Sequence, residues 1–322
     1  MEVDDSERLQ WNAAKTLAAA GLGLAALFAW LTPQPAGAQP GAGERVPVML
    51  LTGQASIYHD WRRSSALIEQ ILVDAGRFTV DVVTTPAEGE PMTGFSPDWS
   101  GYAAVVMDYD GEAWPEATKA AFVDYMAAGG GLVLVHAADN AFPDWPEFQA
   151  MAGVGGWRGR DESAGPKLRW RDGGPVLDDG PGVAQHPPQH DFRIVTRASA
   201  HPVMRGLPEV WMHANDELYS QLRGPARNVT ILATARADAS MRGATGEHEP
   251  MLMAIRFGEG RVFHTTLGHV GPRDELPVAT ISSVGFIVTL QRGTEWAATG
   301  AVTLPVPGDF PTADVPSLRA LD

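Results

Sequence analysis

Cysteine is absent from all 322 residues of the chain. A chain without thiols forms no disulfide, offers no thiolate nucleophile and builds no zinc–thiolate site. The missing thiols do not indicate a compartment by themselves, although such a chain tolerates an oxidising one. Any reactive site must therefore use side chains other than cysteine.

Basic residues are fewer than acidic ones. The chain has 24 Lys and Arg against 39 Asp and Glu, which gives a net charge of -15 and a pI of about 5.0. No cluster of Lys and Arg reverses this balance locally. Because an acidic surface repels phosphate groups, we expect neither nucleic acid nor anionic lipid as a partner.

Several sequence motifs that indicate a known cofactor or catalytic site are missing. No glycine-rich loop follows the first predicted strand in the dinucleotide-binding pattern, so we expect no nucleotide cofactor. The Gly-x-Ser-x-Gly elbow of serine hydrolases is absent, and no helix carries His-x-x-x-His. A dispersed set of His, Asp and Glu ligands for zinc or manganese stays open as an alternative.

The N-terminal segment predicts export. In "KTLAAAGLGLAALFAWLTPQPAGAQP" a lysine precedes about 16 mostly apolar residues, a proline break and a small-x-small "AGA" site. The apolar run is short for a membrane span. Because acidic residues outnumber basic ones before it, residues 1–38 are interpreted as either a signal peptide or an uncleaved anchor, with a buried or disordered apolar terminus as the plain alternative. Residues 39–45 are a predicted linker.

Strands and helices alternate from Val46 onward. "VPVMLLTG", "FTVDVVTT", "YAAVVMDYD" and "GLVLVHAA" predict strands, and the segments between the first two and the last two have helical spacing. This order is typical of an α/β fold with a parallel sheet and helices on both faces. "DFRIVTR", "NVTILATAR" and the hairpin "PMLMAIRFGEGRVFHTTLG" predict added strands, and "VATISSVGFIVTLQRGTEWAATG" predicts a closing helix. One domain over 46–311 and a proline-rich tail over 312–322 follow.

Two segments do not fit this periodicity. Residues 155–189 are rich in Gly, Pro and charge and are long for a plain connection, which indicates a functional or mobile segment. "HPVMRGLPEVWMHANDELY" reads as a turn-rich segment that carries polar groups.

Polar residues follow the strands of the parallel sheet. In such sheets ligand sites form beyond the carboxyl ends of the strands. His136 and His264 each end a strand, so we expect a pocket role for the pair, against the plain alternative of hydrogen-bonded core histidines. Further candidates at or near the same edge are His59, Asp108, Asp110 and Asp139.

Other polar segments allow two interpretations each. "HANDELY" holds His213, Asp216 and Glu217, which could bind sugar hydroxyls or supply a base; a solvated loop is the alternative. "GEHEP" places His248 before a strand, where a surface turn is equally expected. Asp60 could simply cap a helix. Among the tryptophans, Trp61, Trp114 and Trp157 are candidates for stacking on a sugar, although most of the 10 must be structural.

Six ordered motifs together resemble the ThuA-like, trehalose-utilisation proteins over about residues 46–311. They are "GGGLVLVHAADNAFPDWPEF", "GWRGR", "HANDELY", "GEHEPML", "GRVFHTTLGH" and "RGTEWAATG". The resemblance implies a class I glutamine amidotransferase-like, flavodoxin-like parallel sheet with added antiparallel strands. It also implies a role in the use of disaccharides and their 3-keto derivatives, which a partner sugar dehydrogenase would supply.

The same resemblance indicates where a catalytic cysteine would lie in this fold. In amidotransferases of this fold a cysteine follows the strand that corresponds to "GLVLVHAA", and its histidine partner maps to His264. Here that turn holds His136, Ala137 and Ala138. Glutamine hydrolysis through a thioester is therefore excluded, and an acid–base pocket of imidazoles and carboxylates remains.

The candidate residues and the family resemblance together allow two functions. The first is a hydrolase, lyase or isomerase of a keto-glycoside or disaccharide, in which His136, His264 and Glu217 are the catalytic residues. The second is a carbohydrate-binding protein that has lost catalysis. The predicted substrate-binding residues are His59, Trp61, Asp110, Asp139, His213, Asp216, His248 and His269.

Overall fold

The computed structural model describes residues 45–321 of the chain. The predicted signal peptide or anchor over residues 1–38, and the linker except for its last residue, lie outside this range. The strands are β1 Val46–Thr52, β2 Phe78–Thr84, β3 Ala104–Met107, β4 Gly131–Val135, β5 Lys167–Arg171, β6 Gly174–Asp178, β7 His190–Thr196, β8 Val210–Asp216, β9 Val229–Ala235, β10 Glu249–Phe257 and β11 Gly260–Thr265.

Helices connect the parallel strands. The α-helices are α1 Trp61–Asp74, α2 Glu116–Ala127, α3 Pro146–Ala152, α4 Ala279–Ser282 and α5 Val284–Thr299. Short 3-10 helices cover Met92–Gly94, Trp99–Gly101, His136–Asn140 and Glu162–Ala164. Asp60 caps α1, since its side chain accepts a hydrogen bond from the Arg63 backbone N–H.

One mixed sheet of nine strands organises the domain. Its order is β2-β1-β3-β4-β11-β10-β9-β7-β8, and β5 pairs with β6 in a separate hairpin. The strands from β2 to β11 in this order run parallel to one another, whereas β10, β9, β7 and β8 pair antiparallel. The predicted α/β fold with a parallel core and added antiparallel strands is confirmed.

The sheet separates two hydrophobic layers. Val48 and Leu50 of β1 pack into one layer, and Met49 and Leu51 pack into the other. α1 and α5 cover the first layer, while α2 and α3 cover the second. A central strand buried on both faces must be apolar at every position, which explains its continuous apolar run.

The structure corrects two sequence interpretations. The segment before Glu217 is not a plain turn region, because β8 forms the sheet edge there. Part of the glycine-rich segment 155–189 folds as the β5–β6 hairpin.

The C-terminal residues pack against the sheet. The Met212 backbone N–H of β8 donates to the Thr312 carbonyl at 2.8 Å. This contact covers part of the β8 edge. An unpaired edge strand would otherwise invite association with other chains. None of the described helices combines the length and apolarity that a bilayer crossing requires.

Glu295 of α5 fastens the C-terminal segment to the core. Its fully buried carboxylate accepts hydrogen bonds from Arg77 at 2.9 Å and from the backbone N–H groups of Thr303 at 2.8 Å and Leu304 at 3.0 Å. Burial opposes ionisation, but hydrogen bonds from Thr303, Leu304 and Arg77 lower the pKa of the Glu295 carboxyl.

We expect Glu295→Gln to lower the free energy of unfolding by about 3–5 kcal/mol at pH 7, the scale of breaking a buried ion pair. Because the folded-state pKa is lowered, this contribution is present above the ordinary glutamate pKa and is lost as the pH falls through the lowered value. Urea unfolding at pH 7 and at pH 4 should show that the difference in unfolding free energy between the wild-type protein and Glu295→Gln is smaller at pH 4. The exposed Glu259→Gln is the control, and an equal effect of both variants would contradict the assignment.

Candidate active site

A cavity of about 580 Å³ opens at the carboxyl edge of the parallel strands. Its volume lies within the range of about 300–1,000 Å³ that small-molecule sites occupy. The lining residues come from the loops after β1, β3, β4 and β8 and from the segment 155–189. They are Ser56, Tyr58, His59, Asp110, Asn140, Trp157, Arg158, His186, Glu217 and Tyr219.

Three imidazoles and one carboxylate meet beside this cavity. The residues His59, His136, Glu217 and His269 form what we call the histidine–glutamate cluster, and one ligand atom from each lies within 4.8 Å of the others. Nε2 of His136 lies 3.2 Å from Nδ1 of His269. Oε2 of Glu217 lies 3.3 Å from Nδ1 of His269 and 3.7 Å from Nε2 of His136. Such a donor set could hold a divalent metal ion or move protons.

His136 occupies a sharp turn directly after β4. Its φ is 47°, a left-handed value that costs energy for a residue other than glycine. Nδ1 lies 2.8 Å from the Thr266 carbonyl oxygen, which can only accept, so Nδ1 carries the hydrogen. In the neutral ring Nε2 therefore presents a lone pair to the cluster, where the Tyr219 hydroxyl lies 2.9 Å away.

Asp216 positions the residues on both sides of the cluster. Its fully buried carboxylate accepts from the backbone N–H groups of Glu217 at 2.7 Å, Gly268 at 2.7 Å and His269 at 3.3 Å. His213 lies 2.8 Å from it. Gly268 has a φ of 107°, and a Cβ there would lie 2.7 Å from the Phe286 ring, so the loop needs glycine at this point.

The charges of the cluster are set by burial and by one another. Burial, and then the charges of His136 and His269, lower the pKa of His59 to about 3, so this ring is neutral near pH 7. Burial disfavours charge on His136, but the Glu217 and Asp216 carboxylates raise its pKa. Burial likewise opposes ionisation of Glu217, yet contacts with His136 and His269 lower its pKa.

The outer cavity wall carries polar and aromatic groups. Nε of Arg158 donates to Asp110 at 2.6 Å, which neutralises a buried carboxylate. Burial raises the pKa of Asp110 to about 6 despite the hydrogen bond from Arg158. The Trp157 ring lies 4.5 Å from the Tyr219 ring, and Nε2 of His186 lies 3.6 Å from Oε1 of Glu217.

The structure brings seven predicted residues to this region. Glu217, His59, Asp110 and Trp157 line the cavity, His136 and His269 complete the cluster, and Asp216 supports it.

The predicted residues His264, in β11, and Asp139, in the turn after β4, do not line the cavity. His264 is fully buried, with Nδ1 2.9 Å from the Ala152 carbonyl and Nε2 3.3 Å from the buried Asp139. Both ring nitrogens of His264 are thus engaged inside the fold, and neither residue lines the cavity. The proposed pairing of His264 with His136 is therefore not the arrangement that the structure holds.

Four other predicted residues also lie outside the cavity lining. His213 is fully buried between Asp216 and Ser283. His248 contacts Thr234 at 3.4 Å. Trp61 lies at the start of α1 under the Arg62 guanidinium, and Trp114 belongs to an aromatic core group.

Several cavity residues were not singled out from the sequence. His186 and Arg158 come from the segment 155–189, whose length indicated a functional role, and Arg158 also lies inside the motif "GWRGR". Tyr219, Asn140 and Ser56 also line the cavity. Tyr219 lies inside the motif "HANDELY" and Asn140 inside "GGGLVLVHAADNAFPDWPEF", but nothing in their spacing indicated which side chains face the cavity.

A sequence family and several solved structures are similar to this chain. The family profile "ThuA: Trehalose utilisation" matches residues 47–297. A ThuA-like protein from Parabacteroides merdae is 45% identical, with 86% of this chain and 98% of that chain covered and a TM-score of 0.82. A ThuA-like protein from Bacteroides uniformis is 16% identical, with 84% and 98% covered and a TM-score of 0.51, and it shares the fold. No curated protein matches the chain.

We expect Asp216→Asn to destabilise the fold by about 3–5 kcal/mol, because the amide cannot replace a buried carboxylate that accepts three backbone N–H groups. Asp191→Asn is the matched control, since Asp191 accepts a single backbone N–H from Asn215 at an exposed site. Urea unfolding of both variants measures the difference. Equal stability of the two variants would show that Asp216 does not hold the loops.

Proposed function

The chain belongs to the ThuA trehalose utilisation family, and on this basis we propose that it is an exported carbohydrate-active enzyme that moves protons on a keto-glycoside or disaccharide. The observation that carries the proposal is the histidine–glutamate cluster beside the cavity. Imidazoles and carboxylates are the side chains that most often transfer protons in enzymes.

The cavity wall suits a sugar. Trp157 and Tyr58 contribute aromatic rings to the lining, and Asn140, Ser56 and Arg158 contribute groups that can hydrogen-bond to hydroxyls. A site that combines an apolar ring with a few polar groups fixes the orientation of a small polar ligand. This lining supports a carbohydrate of one or two rings as the ligand.

A 3-keto-glycoside requires a base beside the carbon next to its ketone. The Nδ1 atom of His186 lies 2.8 Å from the Pro187 carbonyl, so Nδ1 carries the hydrogen and Nε2 is free to accept a proton in the neutral ring. Nε2 lies 3.6 Å from Oε1 of Glu217, whose negative charge stabilises the imidazolium that forms.

The reaction then balances without an oxidant. His186 removes the α proton, the C–H electron pair becomes a C=C bond, and the ketone oxygen takes up the displaced pair as an enolate. The enolate either expels the glycosidic oxygen, which leaves with a proton, or is reprotonated at carbon as an isomer. The Tyr219 hydroxyl lies beside the cluster and is the candidate proton donor.

A non-catalytic carbohydrate-binding protein is the second candidate. The missing cysteine nucleophile and the aromatic residues Trp157 and Tyr58 at the cavity favour it. The two candidates differ in one property, because only an enzyme exchanges the α proton of a bound keto-sugar with solvent.

In deuterium oxide we expect the protein to place deuterium at the carbon next to the ketone of a 3-keto-glycoside, as mass spectrometry and NMR would show. His186→Gln and Glu217→Gln should each slow exchange about 100-fold, the scale of losing a general base or its support. His190→Gln, four residues further along the chain at the start of β7, should leave the rate unchanged. Binding of the keto-sugar by the wild-type protein without exchange would favour the binding-protein candidate.

Export is proposed from the apolar N-terminal segment. A secreting host should release a mature chain that begins at or near Gln39, because the small-x-small site ends at Ala38. Mass spectrometry of the exported protein identifies the first residue. Exported protein that retains Met1 would instead indicate an uncleaved anchor.

A further inference from the structure

We propose that the histidine–glutamate cluster binds one divalent transition-metal ion of the zinc type, through three imidazoles and the Glu217 carboxylate. The ligands come from four separate loops: His59 follows β1, His136 follows β4, Glu217 follows β8 and His269 follows β11. The catalytic use of the ion rests on the proposed function, whereas its binding is measured without any sugar.

The distances between donor atoms match a small coordination sphere. Tetrahedral bonds of about 2.0–2.1 Å place ligand atoms roughly 3.3–3.4 Å apart. The observed separations are 3.2 Å between His136 and His269, 3.3 Å between His269 and Glu217, and 3.7 Å between His136 and Glu217. The ligand atoms of these three residues can therefore accommodate an ion with shifts of a few tenths of an ångström, and the ligand atom of His59 lies within 4.8 Å of them.

The three imidazole rings form a nearly equilateral triangle. Their centroids are separated by 5.1 Å for His59 and His136, 5.2 Å for His59 and His269, and 5.2 Å for His136 and His269. Interplanar angles of 75°, 65° and 78° turn the rings edge to face. Three imidazoles around one zinc ion have centroids roughly 5 Å apart, so the rings already hold the arrangement that the ion needs.

The outer contacts direct lone pairs toward the centre. The Thr266 carbonyl fixes the hydrogen of His136 on Nδ1 and leaves Nε2 as the donor atom. Nδ1 of His59 lies 3.0 Å from the Ser56 hydroxyl, and Nε2 of His59 is buried without a hydrogen-bond partner among the described residues. A buried nitrogen without a partner costs free energy, and a metal bond would satisfy it. Asp216 in turn holds the backbone of Glu217 and His269.

The donor set selects the class of metal. Neutral imidazoles favour zinc and neighbouring transition metals, while calcium and magnesium prefer oxygen ligands. In this structure the Tyr219 hydroxyl lies 2.9 Å from Nε2 of His136, and metal binding replaces this contact. Because Tyr219 and Glu217 also line the cavity, a ligand in the cavity can reach the same ion.

A competing explanation is a metal-free ion-pair cluster. Protonated His136 and His269 could each neutralise the single Glu217 carboxylate. That arrangement leaves Nε2 of His59 without a partner, and it gives no reason for a third imidazole in the triangle. The metal site accounts for all four side chains.

The test is isothermal titration calorimetry of the untagged full chain, stripped with a chelator and titrated with Zn²⁺ alone and Mn²⁺ alone. We expect one ion per chain. His269→Gln and His59→Gln should each weaken binding about 100-fold or more, since even the loss of an outer-shell contact costs about 10–100-fold. His248 lies outside the cluster, so the His248→Gln variant should bind the metal ions as tightly as the wild-type protein does.

Cobalt substitution gives a second readout. Visible spectra of the Co²⁺-loaded chain should show the intense bands of a low-coordinate nitrogen–oxygen site and should change in His136→Gln. Absence of binding at millimolar Zn²⁺ and Mn²⁺, or equal binding by His269→Gln and His248→Gln, would overturn the proposal. Metal binding without exchange of a keto-sugar proton would retain the site and reject the proposed reaction, and exchange without metal binding would do the reverse.

Discussion

The buried carboxylate of Asp216 is the contact on which the cluster depends. A charge removed from water must be compensated by hydrogen bonds, and here three backbone N–H groups and one imidazole supply them. Two of those N–H groups belong to Glu217 and His269 themselves. The hydrogen bonds that satisfy this one charge therefore fix the chain after β8 relative to the chain after β11. Glu217 and His269 of the cluster are held in position as a result.

The turn after β4 makes the second contribution. His136 adopts a left-handed φ of 47° directly after β4. Strain of this kind persists only where the surrounding structure holds it, and here β4 is paired on both sides by β3 and β11. The turn thus directs an imidazole toward the cluster.

The sequence was sufficient to predict the sheet and part of the site. Buried parallel strands have continuous apolar runs, and His136 and His59 follow such strands, so their meeting at one edge followed from topology. The end of β11 showed the limit of this reasoning, because His264 lies inside the strand and points into the fold beside Asp139, while His269, five residues later, reaches the cluster. His186 and Arg158 lie on irregular chain without periodicity, so only tertiary packing could reveal that they face the cavity.

The separation of charge within the cavity bears on what the site can bind. Arg158 is matched by Asp110, so the outer wall presents a neutral pair that suits uncharged hydroxyls. The inner cluster is different, because three imidazoles surround a single carboxylate and His59 stays neutral there. Burying four polar groups together costs stability. Proteins keep such costly groups mainly where the groups serve a ligand, a proton or an ion. The fold accepts that cost at the edge where parallel strands leave a crevice, which is the argument for chemistry at this point in the molecule.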